Sequence, residues 1–346
     1  MMDESVRRWL LRFPDASDDE QNRRLRTLAR FEATMQTTHD ALLALLQQAR
    51  KRLAEGQTPE LKEVIEEFYR RLRKEGLQHN SAMVTCRPIL SFFSANYVTI
   101  RDLSREIMRT QDNAWETTFV LTQDQVRRMV ESRKSTRDKA LIAFLAQTGQ
   151  RVGVLTAMKT GLIRRFESDP HGIVEVPPNF KNPRGTNVNK YEVRYNFVIG
   201  EDTMRYIGDL TNWKEGWLFE GGYSKKDGIS VRQIGRVVDE AAEAIGIQNP
   251  IQTEIAWRSM NRVHPHIFRR YWVERVTSHG MLETHREYMM GHKLPYRGTY
   301  VVGLLTDDKL VRAYTKAEAN LSLRMPQENE PQAKPTEMSK EPEKQS

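Results

Sequence analysis

The sequence predicts a mainly α protein of two helical domains, the second α-rich and carrying one small antiparallel sheet. Three observations lead there. Apolar residues recur at helical spacing over most of the chain. One stretch, from Gly172 to Ile199, changes to β-branched and aromatic patterns around a turn-rich loop. The length, 346 residues, exceeds what one typical core holds together.

The first domain is expected over residues 1–105. A long amphipathic stretch runs from Asp18 to Ala54. ELKEVIEEFYRRLRKEG then sets Leu61, Val64, Ile65, Phe68 and Leu72 on one helix face, with Thr58-Pro59 as its start signal and Gly76 as its stop. Arg70, Arg71, Arg73 and Lys74 crowd its end, which suits the negative pole of the helix dipole and also a phosphate backbone. A solvated charged face explains each of them singly just as well. Asn80 to Tyr97 forms another helical run around Leu90, Phe92 and Phe93, and Pro88 inside it is expected to bend or restart the helix.

Residues 106–120 have mixed polarity and no period, as a linker would. LTQDQVRRMVES then opens the second domain, 121–324, with Thr122 or Leu121 near the helix cap. GIVEVPP and YEVRYNFVI flank the basic loop KNPRGTNVN as a hairpin, and helical patterns return through about Asn320. The tail from Met325 to Ser346 holds four prolines and five glutamates with little to bury, so disorder is expected there.

Composition narrows the classes. With 38% hydrophobic and 29% charged residues the chain reads as a soluble globular protein. Its apolar clusters are too short to span a bilayer, so no membrane partner is expected. MMDESVRRWL lacks an apolar signal core, and Cys86 is the single cysteine, which excludes a disulfide framework within the chain and fits a cytoplasmic protein. The net charge is +8, and the tail with five Glu and three Lys carries −2, so the remaining residues carry +10. A basic body favours a polyanion such as nucleic acid, although composition alone fits a merely basic protein equally well.

Three separated segments hold the chemistry. In FLAQTGQRVGVLTAMKTG, Gly149 ends one helix and Arg151 begins the next, with Val152, Leu155 and Met158 anchoring that second helix. An arginine held at such a corner presents a planar fork to a phosphate, or caps and pairs locally. In HPHIFRRYWVERVTSHG, Pro265 suits a first helical turn, His266 and Arg269 share a face, and Ile267, Phe268, Tyr271, Trp272 and Val276 pack opposite. In EYMMGHKLPYRGTY, Gly291 ends a helix before His292, with Tyr296 and Tyr300 downstream and Tyr314 farther on.

Together these resemble the tyrosine recombinase (phage integrase) family. TGQRVGVLTAM is similar to its first box around Arg151, His266-Ile-Phe-Arg269 to its H-x-x-R box, and Gly291-His292 to the G-H box that precedes a nucleophilic tyrosine. The gaps fit: 115 residues from Arg151 to His266 and 23 from Arg269 to His292. The likeness covers about 120–320, and the helices at 59–97 look like the family's core-binding domain. Its phrasing looks most like integrases of archaeal and related mobile elements. Three positions depart: Val154 stands where many members carry an acid, Arg270 where a His is common, and the eight residues from His292 to Tyr300 are one fewer than usual.

The resemblance implies a site-specific recombinase that cleaves double-stranded DNA through a 3′-phosphotyrosine and a Holliday junction, with neither ATP nor a metal cofactor. It implies Arg151 and Arg269 as the phosphate clamp, His266 and His292 as hydrogen-bonding or proton-handling partners, a hairpin lysine as general acid, and Tyr300 as nucleophile. Lys181 matches the lysine position best and Lys190 is the alternative; Tyr314 stays open as an alternative nucleophile. Implied partners are a homotetramer on two DNA sites and accessory DNA-bending proteins. Two other readings share the residue set: a type IB topoisomerase, and a DNA-binding accessory factor without catalysis.

Overall fold

The structure is a computed structural model and describes residues 3–14, 16, 18–55, 61–98, 100, 103, 119–221, 228–248, 250–252, 259–294, 303 and 305–324. The chain divides into two units, Met1–Thr118 with Ile251–Met260, and Phe119–Pro250 with Asn261–Ser346. Tyr296, Tyr300, Lys225, Lys226, most of the linker and the tail lie outside the described residues.

The first unit is built from α1 (Glu4–Leu10), α2 (Asp18–Met35), α3 (His39–Ala54), α4 (Leu61–Lys74) and α5 (His79–Ala95). Its core is aromatic: Trp9 meets Phe92 edge-on at 5.5 Å and Phe31 meets Phe68 at 4.9 Å. Leu61, Ile65, Phe68 and Leu72 are buried at the expected spacing. The stretch from Asp18 to Ala54 is two helices, broken where Gln36 takes the left-handed conformation, φ 55°. Pro88 does not restart α5, which is one helix from His79 to Ala95. The proline removes the donor for the carbonyl of Val84, and Val84 is 60% exposed, so water can take that place. The arginines of α4 serve their own unit. Arg71 donates to Thr34 O at 2.8 Å and to Glu67, Arg73 to Leu77 O at 2.6 Å, and Arg70 to Glu67 at 2.8 Å.

The second unit opens with α6 (Gln123–Glu131), capped by Thr122, whose hydroxyl accepts from Gln125 N while the Gln125 side chain accepts from Thr122 N. Helix α7 (Thr136–Thr148) is the centre: Ala140 through Thr148 are all buried. That is why it shows little amphipathic period in the sequence. α8 (Val152–Ala157), α9 (Glu201–Thr211), α10 (Val231–Ala244), α11 (Pro265–Ser278), α12 (Glu283–Met289) and α13 (Asp307–Glu318) complete the α-helices among the described residues. α6, α9 and α11 pack against α7.

The sheet is antiparallel in the order β1 (Ile163–Phe166), β2 (Asp169–Val176), β3 (Tyr195–Ile199), with Ile163 opposite Val174 and Val174 opposite Phe197. The sequence reading finds β2 and β3 but misses β1. IRRF buries only Ile163, and an edge strand with one apolar anchor leaves no alternating pattern. Tyr191 to Arg194 belong to the loop rather than to β3. A separate short hairpin pairs β4 (Pro250–Gln252) with β5 (Ser259–Asn261).

α13 closes over the unit's own core rather than presenting an apolar face outward. Leu310, Val311, Tyr314 and Ala317 are buried, followed by Leu321 and Leu323. His171 of β2 bridges two carboxylates, Asp169 Oδ1 at 2.5 Å and Glu318 Oε2 at 2.7 Å. Burial opposes its charge, but bonds to Glu318 and Asp169 outweigh burial and raise its pKa. Beyond α13, Leu323 N and Arg324 Nε donate to the buried carboxylate of Asp202, at 2.8 and 3.1 Å.

Candidate active site

Gly149 ends α7 in the left-handed conformation, φ 59°, and two residues later Arg151 caps α8. A Cβ on Gly149 would lie 2.9 Å from the ring of Trp272, so the corner has room for glycine alone. Gln150 between them is buried. Its amide donates to Met289 O at 2.7 Å and its oxygen accepts from Tyr195 OH at 3.0 Å, which ties the corner to β3 and to the end of α12.

Pro265 starts α11 at its first turn, as expected, and Ile267, Phe268, Tyr271, Trp272 and Val276 are all buried. Arg269 is buried with them, at 5% exposure. Its Nη1 donates to Gly149 O at 3.0 Å, and its Nη2 donates to Met290 O and to His292 Nε2, both at 2.8 Å. Arg151 Nη1 reaches the same Met290 carbonyl at 3.5 Å. Two distant segments thus converge on the carbonyl of a third.

Gly291, φ 66°, closes α12 with a paired-bond C-terminal motif: its N–H donates to Tyr288 O at 2.8 Å and that of His292 to Glu287 O at 3.0 Å. A Cβ on Gly291 would sit 2.6 Å from Tyr195. The turn folds His292 back so that its Nδ1 bonds the Glu287 carboxylate. Tyr191, at the end of the β2–β3 loop, faces the same group. Its ring lies 5.5 Å from that of His292, edge-on at 84°, and 4.9 Å beneath the Arg151 guanidinium.

The electrostatics are those of a site short of negative charge. Burial, then the neighbouring Arg151 charge, lowers the Arg269 pKa from 12.5 to about 10. Burial also lowers the pKa of His292, helped by Arg269 and Arg151 and opposed by its bond to Glu287. Two guanidiniums held side by side on backbone carbonyls suit a ligand that offers several anionic oxygens.

The structure brings Arg151, Arg269 and His292 together. His266 lies one turn before Arg269, exposed, its ring stacked on His264 at 6.5 Å. Lys181 is exposed in the β2–β3 loop, its backbone bridged to Asn187. Lys190 is the lysine that shares the Tyr191 ring with Arg151, its Nζ 5.5 Å from the centroid. Tyr300 lies outside the described residues. Tyr314 drops out as a nucleophile: it is fully buried, its hydroxyl donates to Gln147 O at 2.8 Å, and burial holds its pKa well above the ordinary value.

The model of the phage integrase family matches residues 120–295, just over half of the chain. The chain belongs to this family, the tyrosine recombinases. The matched segment of the recombinase holds Arg151, Lys181, His266, Arg269 and His292 and ends before Tyr300. It is similar in fold to the Tn1549 transposon integrase in complex with transposon right end DNA, at 13% identity over 91% of this chain and 99% of that one, with a TM-score of 0.57. The same integrase in complex with a circular intermediate DNA gives 13%, 90%, 98% and 0.57. No curated protein matches the chain significantly.

Sequence reading passed over three residues of the recombinase's site: Gln150, Tyr191 and Glu287. Gln150 sits inside the first motif and reads as a spacer. Tyr191 reads as a strand residue because a β-branched run follows it. Glu287 had a usable signal, since it stands five residues before His292 with Gly291 between them, and the helix-ending motif brings those two positions together.

Proposed function

We propose that the chain is a site-specific DNA recombinase that cleaves and rejoins strands through a 3′-phosphotyrosine and exchanges them through a Holliday junction. The observation that supports this most is the convergence of Arg151 and Arg269 on the Met290 carbonyl, with His292 bonded to Arg269 at 2.8 Å. A buried guanidinium beside a second, half-buried one is costly unless an anion comes between them.

In this reading the tyrosine Oη of Tyr300 attacks phosphorus in line, the bond from phosphorus to the 5′ oxygen breaks, and the departing oxygen takes a proton. Arg151 and Arg269 hold the non-bridging oxygens as charge builds on them, and His292 donates to one of them. His266 assists removal of the tyrosine proton. Lys181, or Lys190 beside Tyr191, supplies the proton to the leaving 5′-hydroxyl. The phosphotyrosine conserves the phosphodiester energy, so rejoining to another strand needs neither ATP nor a metal. Double-stranded DNA is the substrate, and four copies of the chain on two sites complete the exchange.

The test is covalent capture on nicked duplexes that span the ends of the DNA element encoding the chain. Wild type is expected to yield a denaturation-resistant adduct, and Tyr300→Phe to yield none while binding DNA with unchanged affinity. An adduct that persists in Tyr300→Phe would sink the assignment, and no adduct with wild type would leave a DNA-binding factor without catalysis. The lysine is separable by leaving-group chemistry. A duplex with sulfur at the bridging 5′ position needs no proton on departure, so it should restore cleavage to the variant, Lys181→Ala or Lys190→Ala, that lacks the general acid. A variant that stays slow on the sulfur duplex has lost something else.

A further inference from the structure

Glu287 and His292 occupy the two positions, five apart, that the C-terminal motif of α12 brings together. Apolar side chains commonly fill them. Here a carboxylate meets an imidazole instead, through Glu287 Oε2 and His292 Nδ1, while Glu287 Oε1 accepts from Arg286 Nε at 3.1 Å. Both ends of the carboxylate are therefore fixed.

The other side of the ring settles the proton. A guanidinium only donates, and Arg269 Nη2 stands 2.8 Å from Nε2, so Nε2 offers its lone pair and the hydrogen sits on Nδ1, facing Glu287. A phosphate oxygen entering beside Arg269 reverses the demand, because Nε2 must then donate. The ring needs a second proton, and Nδ1–H must keep its acceptor. The groups facing His292 are Arg269 from α11, Arg151 from the corner before α8, Tyr191 from the β2–β3 loop and Glu287 from α12. Burial and the two guanidiniums oppose the added charge, and Glu287 favours it. The bonds from His292 and Arg286 also hold Glu287 below the usual carboxylate range, against the effect of its burial.

We propose that Glu287 is a positioning residue: it holds His292 in the Nδ1–H tautomer in the free protein and stabilises the imidazolium that donates from Nε2 to a bound phosphate. This rests on the strand-transfer reading of the same site.

The test titrates ¹⁵N-histidine-labelled full chain by NMR, with and without inorganic phosphate, the His292 signal being the one missing from His292→Ala. In wild type, phosphate should raise the apparent pKa of His292. In Glu287→Gln, which keeps the shape and loses the charge, that pKa should fall by about one unit. Adduct formation on the nicked duplex should slow about tenfold at neutral pH and recover as the pH is lowered, with DNA binding unchanged; a merely structural role would slow it equally at every pH. The double variant with His292→Ala should be no slower than His292→Ala alone. If Glu287→Gln fails to fold, Glu287→Asp carries the test, with a His292 pKa between those of wild type and Glu287→Ala. A His292 titration that ignores phosphate, or one unchanged by loss of the carboxylate, overturns the proposal. Absence of any adduct with wild type would defeat the strand-transfer reading alone, since the titration does not depend on cleavage.

Discussion

In Arg269→Met, adduct formation is expected to fall about a hundredfold to a thousandfold while the free energy of unfolding stays within about 2 kcal/mol of wild type. The two effects separate because the guanidinium is expensive to bury. Its pKa falls from 12.5 to about 10, and at about 1.4 kcal/mol per unit the folded state disfavours its charge by about 3 kcal/mol. Methionine removes that penalty and fills a similar volume beside Gly149 and the chain at Met290. What it loses is the donor to Gly149 O, which costs about 1–3 kcal/mol for an unpaired buried carbonyl, and the donor to His292 Nε2, whose part-exposed ring can bond water instead. The Met290 carbonyl keeps Arg151 at 3.5 Å. Penalty and loss nearly cancel, so the arginine is kept for what it binds. Urea unfolding and the rate of covalent capture read the two quantities. A large drop in stability, or cleavage near the wild-type rate, would refute the account.

Gly149→Ala should do the opposite, damaging both without touching a polar side chain. Alanine at φ 59° costs about 1–2 kcal/mol, and its Cβ would stand 2.9 Å from three atoms of the Trp272 ring. Trp272 is 1% exposed and cannot swing aside, so overpacking adds about 1–3 kcal/mol. Relief requires the corner to move, and that corner carries the carbonyl that orients Arg269 and the backbone that presents Arg151. We expect a loss of about 2–5 kcal/mol in urea unfolding and a fall in adduct formation of at least about tenfold. Wild-type values for both would show that the corner tolerates a side chain and does not set the arginines.

Much of the site was legible in the chain itself. Gly149 before Arg151 marks a turn that only a small residue makes, and Pro265 ahead of His266 and Arg269 fixes where a helix begins. The buried face of α11 follows from residue type at 3–4 spacing. Tyr314 shows the limit of that reading. As a polar-tipped residue in RAYTKAEANL it looks available, yet α13 folds onto the unit's own core and its hydroxyl is spent on Gln147 O. No local pattern reports which partner an amphipathic helix covers.

By itself the sequence determined most of the helical segments, the cap at Thr122, the β2–β3 pair and the residue types of a phosphate clamp, because these follow from backbone sterics, capping chemistry and side-chain periodicity within a few residues. The tertiary structure decided what those residues meet. It buried Arg269 but not His266, set Tyr191 beneath Arg151, and turned Glu287 against His292. Each depends on contacts between segments far apart in sequence or on a left-handed turn, so burial and charge there belong to the assembled fold and to no single segment.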